Sequence, residues 1–347
     1  MKKNLLFQLF GLAALLFLMI AACSKPDRVP DKDGDDENTE DTLPKDLPTD
    51  LRKPIVSVKK TGAVGDGLTD DTKAIQQAID QLAANGGGTV YVPPGVYAIN
   101  AKKSIQLKSK VDMYMRDTLT ELAAIPNDTT SYTVIMIADA MDVRLRGGKV
   151  KGERAQHTGT RGEWGMGVGV HGSANIFISD IVISDCWGDG IYISDNKSKT
   201  RGSAFVRVKN VISRNNRRQG LSIIKAAVVI IEDCKFMYTN GTAPQAGIDI
   251  EPNYDTASHI SIVNTECAYN MGAGIMTYER KAPPLTVVTN IEIHNNYLHH
   301  NNTYGGILSG GRNINFTNNR IVANRYTNPM VWAKDTVNCI LSSNQSD

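Results

Sequence analysis

From Val143 onward, apolar and polar positions alternate in two columns that recur along the chain. The first has the pattern apolar-x-apolar-x-Asn/Asp: Ile176 to Asp180, Val206 to Asn210, Val229 to Asp233, Ile260 to Asn264, Ile291 to Asn295 and Ile314 to Asn318. The second opens on glycine: Gly167 to His171, Gly190 to Ser194, Gly220 to Ile224, Gly247 to Glu251, Gly274 to Tyr278 and Gly306 to Gly310. Period-two alternation marks strands, and the Asn, Asp and Gly positions mark the turns between them. Members of one column recur at roughly 23 to 31 residues, the length of one coil with loops. No single coil can bury its apolar face, so coils must stack on one another. The pattern predicts an all-β solenoid, a single-stranded parallel β-helix. Asn210, Asp233, Asn264, Asn295 and Asn318 are expected to form an internal ladder, each side chain bonding turn backbone in the next coil.

Ahead of the repeat, the stretch Gly62-Ala63-Val64-Gly65-Asp66-Gly67 is turn-rich. Thr69-Asp70-Asp71 then opens a helix with Ile75, Ile79 and Leu82 on one face. Gly86-Gly87-Gly88 ends it, and Thr89 to Val92 followed by Pro93-Pro94-Gly95 reads as strand and turn. This segment resembles the N-terminal region of the pectate-lyase-like β-helix superfamily. The resemblance covers roughly residues 55 to 340 and implies a right-handed solenoid whose open end is covered by an N-terminal capping helix. Asp66, Asp70 and Asp71 are read as turn and cap residues.

The chain begins with Lys2-Lys3 and an apolar run from Leu5 to Ile20, the form of a secretory leader over residues 1–22. Ile20-Ala21-Ala22-Cys23 resembles a bacterial lipobox, which implies lipidation of Cys23 and a membrane anchor. Ser24 after the cysteine resembles lipoproteins sorted to an outer membrane. Residues 23–50, rich in Asp, Glu, Pro and Lys, are expected to form a flexible tether. Residues 51–142 are read as the cap and first coils, and 143–347 as the coils carrying a groove.

Composition narrows the function. Formal charge is +2 with scattered basic residues, so nothing marks a nucleic-acid partner. Cys23, Cys186, Cys234, Cys267 and Cys339 have no short spacing, which excludes a zinc pattern or a disulfide framework, and the last four read as buried hydrophobes. Neither a metal nor a cofactor is expected. Oligomeric state is not legible.

Chemistry concentrates in the second column. Asp249 and Glu251 share one face of a strand, roughly 6.6–6.8 Å apart at Cα. Paired like charges push one carboxyl toward the neutral form, giving an acid and a base from two similar groups. Asp189, two coils earlier and roughly 9.6 Å along the axis, is a third candidate catalytic carboxyl. Arg217, Arg218 and Lys225 are candidates for binding sugar hydroxyls or carboxylates. Tyr192, Tyr278 and Trp187 are candidates for stacking on sugar rings, with His171 beside them. His157 and Trp164 belong to a glycine-rich excursion, Lys151 to Gly167, expected to wall the groove.

Closer resemblances point two ways. Asp189-Gly190-Ile191 resembles the first acid-bearing turn of polygalacturonase-like glycosidases, but the paired acids of the following coil are replaced here by Arg218-Gln219, and Ala246-Gly247 stands where those enzymes carry His-Gly. Gly247 to Pro252 is similar to the acidic strand of alginate epimerases, although it lacks their histidine. The leading expectation is a carbohydrate-active enzyme, a glycoside hydrolase acting on a polysaccharide or oligosaccharide through carboxylate acid–base catalysis. A uronate lyase or epimerase using Arg218 and Tyr278 is the alternative, and a non-catalytic glycan-binding β-helix is a third reading.

Overall fold

The computed structural model describes residues 43–280 and 285–346. The expected leader, Cys23 and most of the acidic tether lie outside the described residues. Residues 43–50 of the tether lie within them: Asp46 pairs with Arg116, and Asp50 with Arg146 at 3.2 Å, while the adjoining Leu51 is buried. The last residues assigned to the tether therefore lie against the solenoid.

The described residues form a parallel β-helix. Its three sheets have 11, 10 and 9 strands, and every pairing between named strands is parallel. The first column of the sequence forms the 11-stranded sheet. Its inward positions stack as Val143, Ile176, Val206, Val229, Ile260, Ile291 and Ile314, all essentially inaccessible to water. Burying a residue of this kind contributes roughly 1.5–3 kcal/mol, and the stacked rows repeat that contribution coil after coil. The second column forms the nine-stranded sheet. The ten-stranded sheet has no counterpart in the sequence reading: strands such as Val182–Ser184 and Glu266–Ala268 are three residues long, too short to display alternation.

The glycines that open the second column are required by close approach. A Cβ on Gly190, Gly220, Gly247 or Gly274 would meet the next coil's glycine carbonyl oxygen at 2.5–2.7 Å. In the last coil of this column the sequence register is off by one. Gly306 pairs with Ile275, not Gly274, and a Cβ there would strike the Phe316 ring at 2.8 Å. The outward residues of that coil are consequently Ile307 and Ser309; Leu308 is buried, and neither it nor Gly310 faces outward.

The internal ladder also needs a correction. Asn210, Asp233, Asn264, Asn295 and Asn318 are exposed and adopt φ between 50° and 58°. They are the left-handed turn residues, a role Asn and Asp fill at low cost. The buried ladder lies one residue later. Thr265 N donates to Asn296 Oδ1 (2.9 Å), Asn296 N to Asn319 Oδ1 (2.9 Å), and Asn319 N to Asn344 Oδ1 (3.0 Å). A second buried ladder runs through Thr239, Asn270, Asn301 and Asn324.

At the N-terminal end, the helix Thr72–Ala84 buries Ile75, Ile79 and Leu82 against the first coils. Asp70 accepts from Thr72 N (3.1 Å) and Asp71 from Val64 N (2.6 Å) and Gly65 N (3.0 Å); Asp66 receives Leu68 N and Thr69 N, both at 2.8 Å. All three acids are spent on backbone. The cysteines 186, 234 and 267 are free and buried, and Cys339 is free and half-buried.

Candidate functional site

The nine-stranded sheet carries the acids because its outward positions align across coils. Tyr192, Ser222, Asp249 and Met276 are successive partners in register. Their neighbours Ile191, Leu221, Ile248 and Ile275 point inward and anchor each strand in the core. Asp249 points away from the core, yet it is fully buried, as are Asp189, Ser222 and Gln219. These polar groups are covered by one another.

Arg218 is the hub. Its Nη1 lies 3.1 Å from Asp189 Oδ2, and its Nη2 lies 4.0 Å from Glu251 Oε2. Ser222 Oγ donates to the same Asp189 oxygen at 2.7 Å. Gln219 Nε2 donates to Asp249 Oδ2 at 2.7 Å, and Gln219 Oε1 accepts from Ala246 N at 2.6 Å. Asp249 Oδ1 is buried and receives no donor.

The electrostatics separate the three carboxyls. Burial drives the Asp249 pKa well above the usual carboxylate range; the Glu251 charge adds to this and Arg218 opposes it. Burial likewise lifts Asp189 to about 6, against the pull of Arg218 and Ser222. Burial alone would lower the Arg218 pKa, but Asp189, Asp249, Glu163 and Glu251 outweigh it and raise it. The centre therefore sets Asp249, a buried acid that holds its proton more tightly than usual, near the partly exposed Glu251, while Asp189 is ion-paired to Arg218.

This yields a stability prediction. The folded state holds the Asp189 proton more tightly than the unfolded chain does. Between about pH 4 and pH 6 it therefore binds more protons, and stability falls as pH rises through that window, by roughly 3 kcal/mol. Below pH 4 and above pH 6 this contribution is flat. Urea unfolding at pH 4 and pH 6.5 should show that slope reduced in Asp189→Asn by about this amount; an unchanged slope would refute the assignment.

Other sequence candidates are placed less simply. Tyr192 is half-buried beside the cluster, with its hydroxyl pushed up to about 12 by burial and the Asp189 charge. Tyr278 is 40% exposed and follows Thr277, the partner of Ile250, so it flanks Glu251 on the next coil. His171, its pKa lowered by burial, holds the Asp195 carbonyl through Nδ1 at 3.3 Å.

Trp187 and Arg217 are not free to bind a sugar. The Trp187 ring is stacked on His157 at 3.9 Å and carries the Arg217 guanidinium at 3.8 Å, so His157 and Arg217 occupy it. Arg217 also donates to the Gly162 carbonyl at 2.9 Å. The pair clamps the glycine-rich excursion to the coils, helped by a His157–Glu153 contact at 2.9 Å whose side chains are wholly buried. Lys225 is spent as well: its Nζ lies 2.7 Å from Asp255 and donates to the Lys199 carbonyl at 3.1 Å.

Four residues absent from the sequence candidates contribute. Gln219 and Ser222 orient Asp249 and Asp189, and Glu163, from the excursion, adds negative charge near Arg218. Tyr254 donates to the Asp195 carboxylate at 2.6 Å. Beside the cluster, a groove of about 570 Å³ is lined by His171, Tyr192, Ser194, Asp195, Lys199 and Tyr254. Among the described residues, no group of three or more His, Cys, Asp or Glu side chains is arranged to hold a metal ion.

Comparison with known proteins agrees with the fold. Residues 55–114 match the family described as "Rhamnogalacturonase A/epimerase, pectate lyase-like", and residues 127–253 match "Right handed beta helix region". The uncharacterized protein YclG of Bacillus subtilis is 30% identical over 253 residues, covering 65% of this chain and 43% of that protein. Mannuronan C5-epimerase AlgE5 of Azotobacter vinelandii is 29% identical over 251 residues, covering 61% of this chain and 24% of the epimerase. The chain thus spans less than half the length of either relative. Among solved structures, the A-module of mannuronan C-5 epimerase AlgE6 from Azotobacter vinelandii superposes with a TM-score of 0.64 at 20% identity, covering 81% of this chain and 78% of that one. The tailspike gp49 of Acinetobacter baumannii bacteriophage Fri1, a capsular polysaccharide depolymerase, gives 0.60 at 15% identity, covering 84% and 59%. At these identities the superpositions speak to fold alone. By its coil register and both family matches, the chain is a right-handed parallel β-helix protein whose N-terminal segment matches a pectate-lyase-like family.

Proposed function

We propose that this protein is a polysaccharide-acting enzyme whose acid–base centre is Asp249, Glu251 and Asp189 around Arg218. One observation carries the reading: a fully buried carboxyl, its pKa raised by burial, on the same strand face as a partly exposed one, both near Arg218. Glycosidic cleavage needs that pair, an acid to protonate the leaving oxygen and a carboxylate to act as base or nucleophile. Within this reading, glycoside hydrolysis fits the centre best. Arg218 is already engaged by Asp189 and lies near Glu251, so its charge is matched before any acidic sugar arrives. The groove beside the cluster, about 570 Å³, is large enough for a sugar unit, and Tyr278 offers an exposed ring next to Glu251.

A second reading is favoured by the similarity to mannuronan C5-epimerases. There the centre would move a proton at a uronate carbon, with Arg218 facing the sugar carboxylate and Tyr278 as base. The two readings part on products. Incubation with a panel of plant and bacterial polysaccharides should release reducing ends without unsaturated uronates if hydrolysis is correct. Unsaturated uronates would identify elimination. Inverted C5 centres in an uncut chain, read by NMR, would identify epimerisation, and either result would overturn the hydrolytic reading.

A further inference from the structure

Gln219 is fully buried, and its amide has two different ends. The backbone N–H of Ala246 can only donate, and it meets Gln219 Oε1 at 2.6 Å. That contact settles the orientation of the amide without ambiguity. The opposite end, Nε2, must then present an N–H to Asp249 Oδ2, 2.7 Å away. An oxygen already facing an N–H is a poor place for a second proton. Oδ1 is the reverse case: it is buried and no donor reaches it, so a proton of its own is what that oxygen lacks.

We infer that Gln219 determines which oxygen of Asp249 is protonated, holding Oδ2 as an acceptor and leaving the proton on Oδ1. The inference rests on the acid–base centre proposed above and deepens it. Gln219 acts through Asp249 as a positioning residue. The residue type is constrained by length and polarity together. Asn would not span from Ala246 to Asp249, and a hydrocarbon would leave both the Ala246 N–H and Asp249 Oδ2 without a partner.

The test reads the resting protein by infrared difference spectroscopy and needs no substrate. At neutral pH the carbonyl stretch of a neutral carboxylic acid should be present, should shift under 13C-aspartate labelling but not under 13C-glutamate labelling, and should be lost in Asp249→Asn. In Gln219→Met the carboxylate loses its only N–H donor, so the titration midpoint of that band should rise by at least one pH unit, a tenfold change in proton affinity. Gln219→Glu keeps an acceptor for Ala246 and is nearly isosteric. One proton must then lie between its other oxygen and Asp249 Oδ2, so the neutral-acid band should shift in frequency or pass to the glutamate label. A wild-type band that follows the glutamate label overturns the inference. So does a midpoint unmoved in Gln219→Met, or, where that variant fails to fold, a neutral-acid band of unchanged frequency and label in Gln219→Glu. Because no turnover is involved, these outcomes are separate from whether the centre cleaves glycosidic bonds. A protein that hydrolyses a glycan but fails the labelling test would retain the proposed function and lose only the role of Gln219.

Discussion

Asp249→Asn should lower turnover about 10³-fold with the fold intact, within the 10²–10⁴ that a positioned general acid supplies. The substitution preserves shape. The new amide can still accept from Gln219 and can offer an N–H to Glu251, so the buried network stays satisfied while the transferable proton is lost. KM should change by less than a few-fold, because Asp249 is buried and offers little surface to a ligand. Glu251→Gln should cost a similar factor, whereas Tyr278→Phe should be mild under hydrolysis and severe under epimerisation or elimination. The measurement is kcat on whichever polysaccharide the panel identifies, with thermal unfolding as the control for folding. An Asp249→Asn protein with wild-type turnover would remove the centre from its assigned role.

The largest stability effect is expected from Asn296→Leu. Asn296 is buried, takes the Thr265 N–H on Oδ1 at 2.9 Å, and donates from Nδ2 to the Ile262 carbonyl at 3.0 Å and to Asn319 Oδ1 at 2.9 Å. Leucine fills a similar volume and satisfies none of these groups. Each buried backbone group left without a partner costs about 1–3 kcal/mol, so a loss of about 3–4 kcal/mol is expected. The neighbouring Asn295 gives the contrast. It is exposed in a left-handed turn, with φ of 58°, and Asn295→Ala should cost only about 1 kcal/mol for backbone strain. Urea midpoints of the two variants, side by side, test whether the ladder runs through the second asparagine of the pair. Equal losses would contradict it.

That pair also shows where the sequence stops being legible. The periodic pattern draws attention to Asn295 and Asn318, but in each case the next residue is also Asn, and only the sign of φ says which one turns inward. The two longer columns, the capping helix and the stacking of coils were legible because each inward row repeats the same apolar position. The convergence of Asp189, Arg218, Asp249 and Glu251 was legible for a related reason, since residues at matching positions of neighbouring coils must be neighbours in space. Gln219 was not legible, because its role depends on what each end of one amide meets. Trp187 and Arg217 looked available because His157, which covers the indole, comes from an excursion thirty residues earlier. Periodicity reports register within the solenoid and is silent on the loops that close over it.

The coil-to-coil spacing has a consequence for how the molecule forms. Ladder partners are 31 residues apart at Thr265 and Asn296 and 23 apart at Asn296 and Asn319. Every coil therefore closes a loop of similar size, and since the entropic cost grows only as the logarithm of loop length, no single coil is a bottleneck. Growth can proceed from the capped end as the chain is made, at about 5–20 residues per second, so a coil is added every few seconds. Asp189, Arg218 and Glu251 are contributed in that order by successive coils, and the next coil lays Met276 beside Asp249. The cluster is thus assembled one turn of chain at a time and closed by a fourth, while the last coils are still to come.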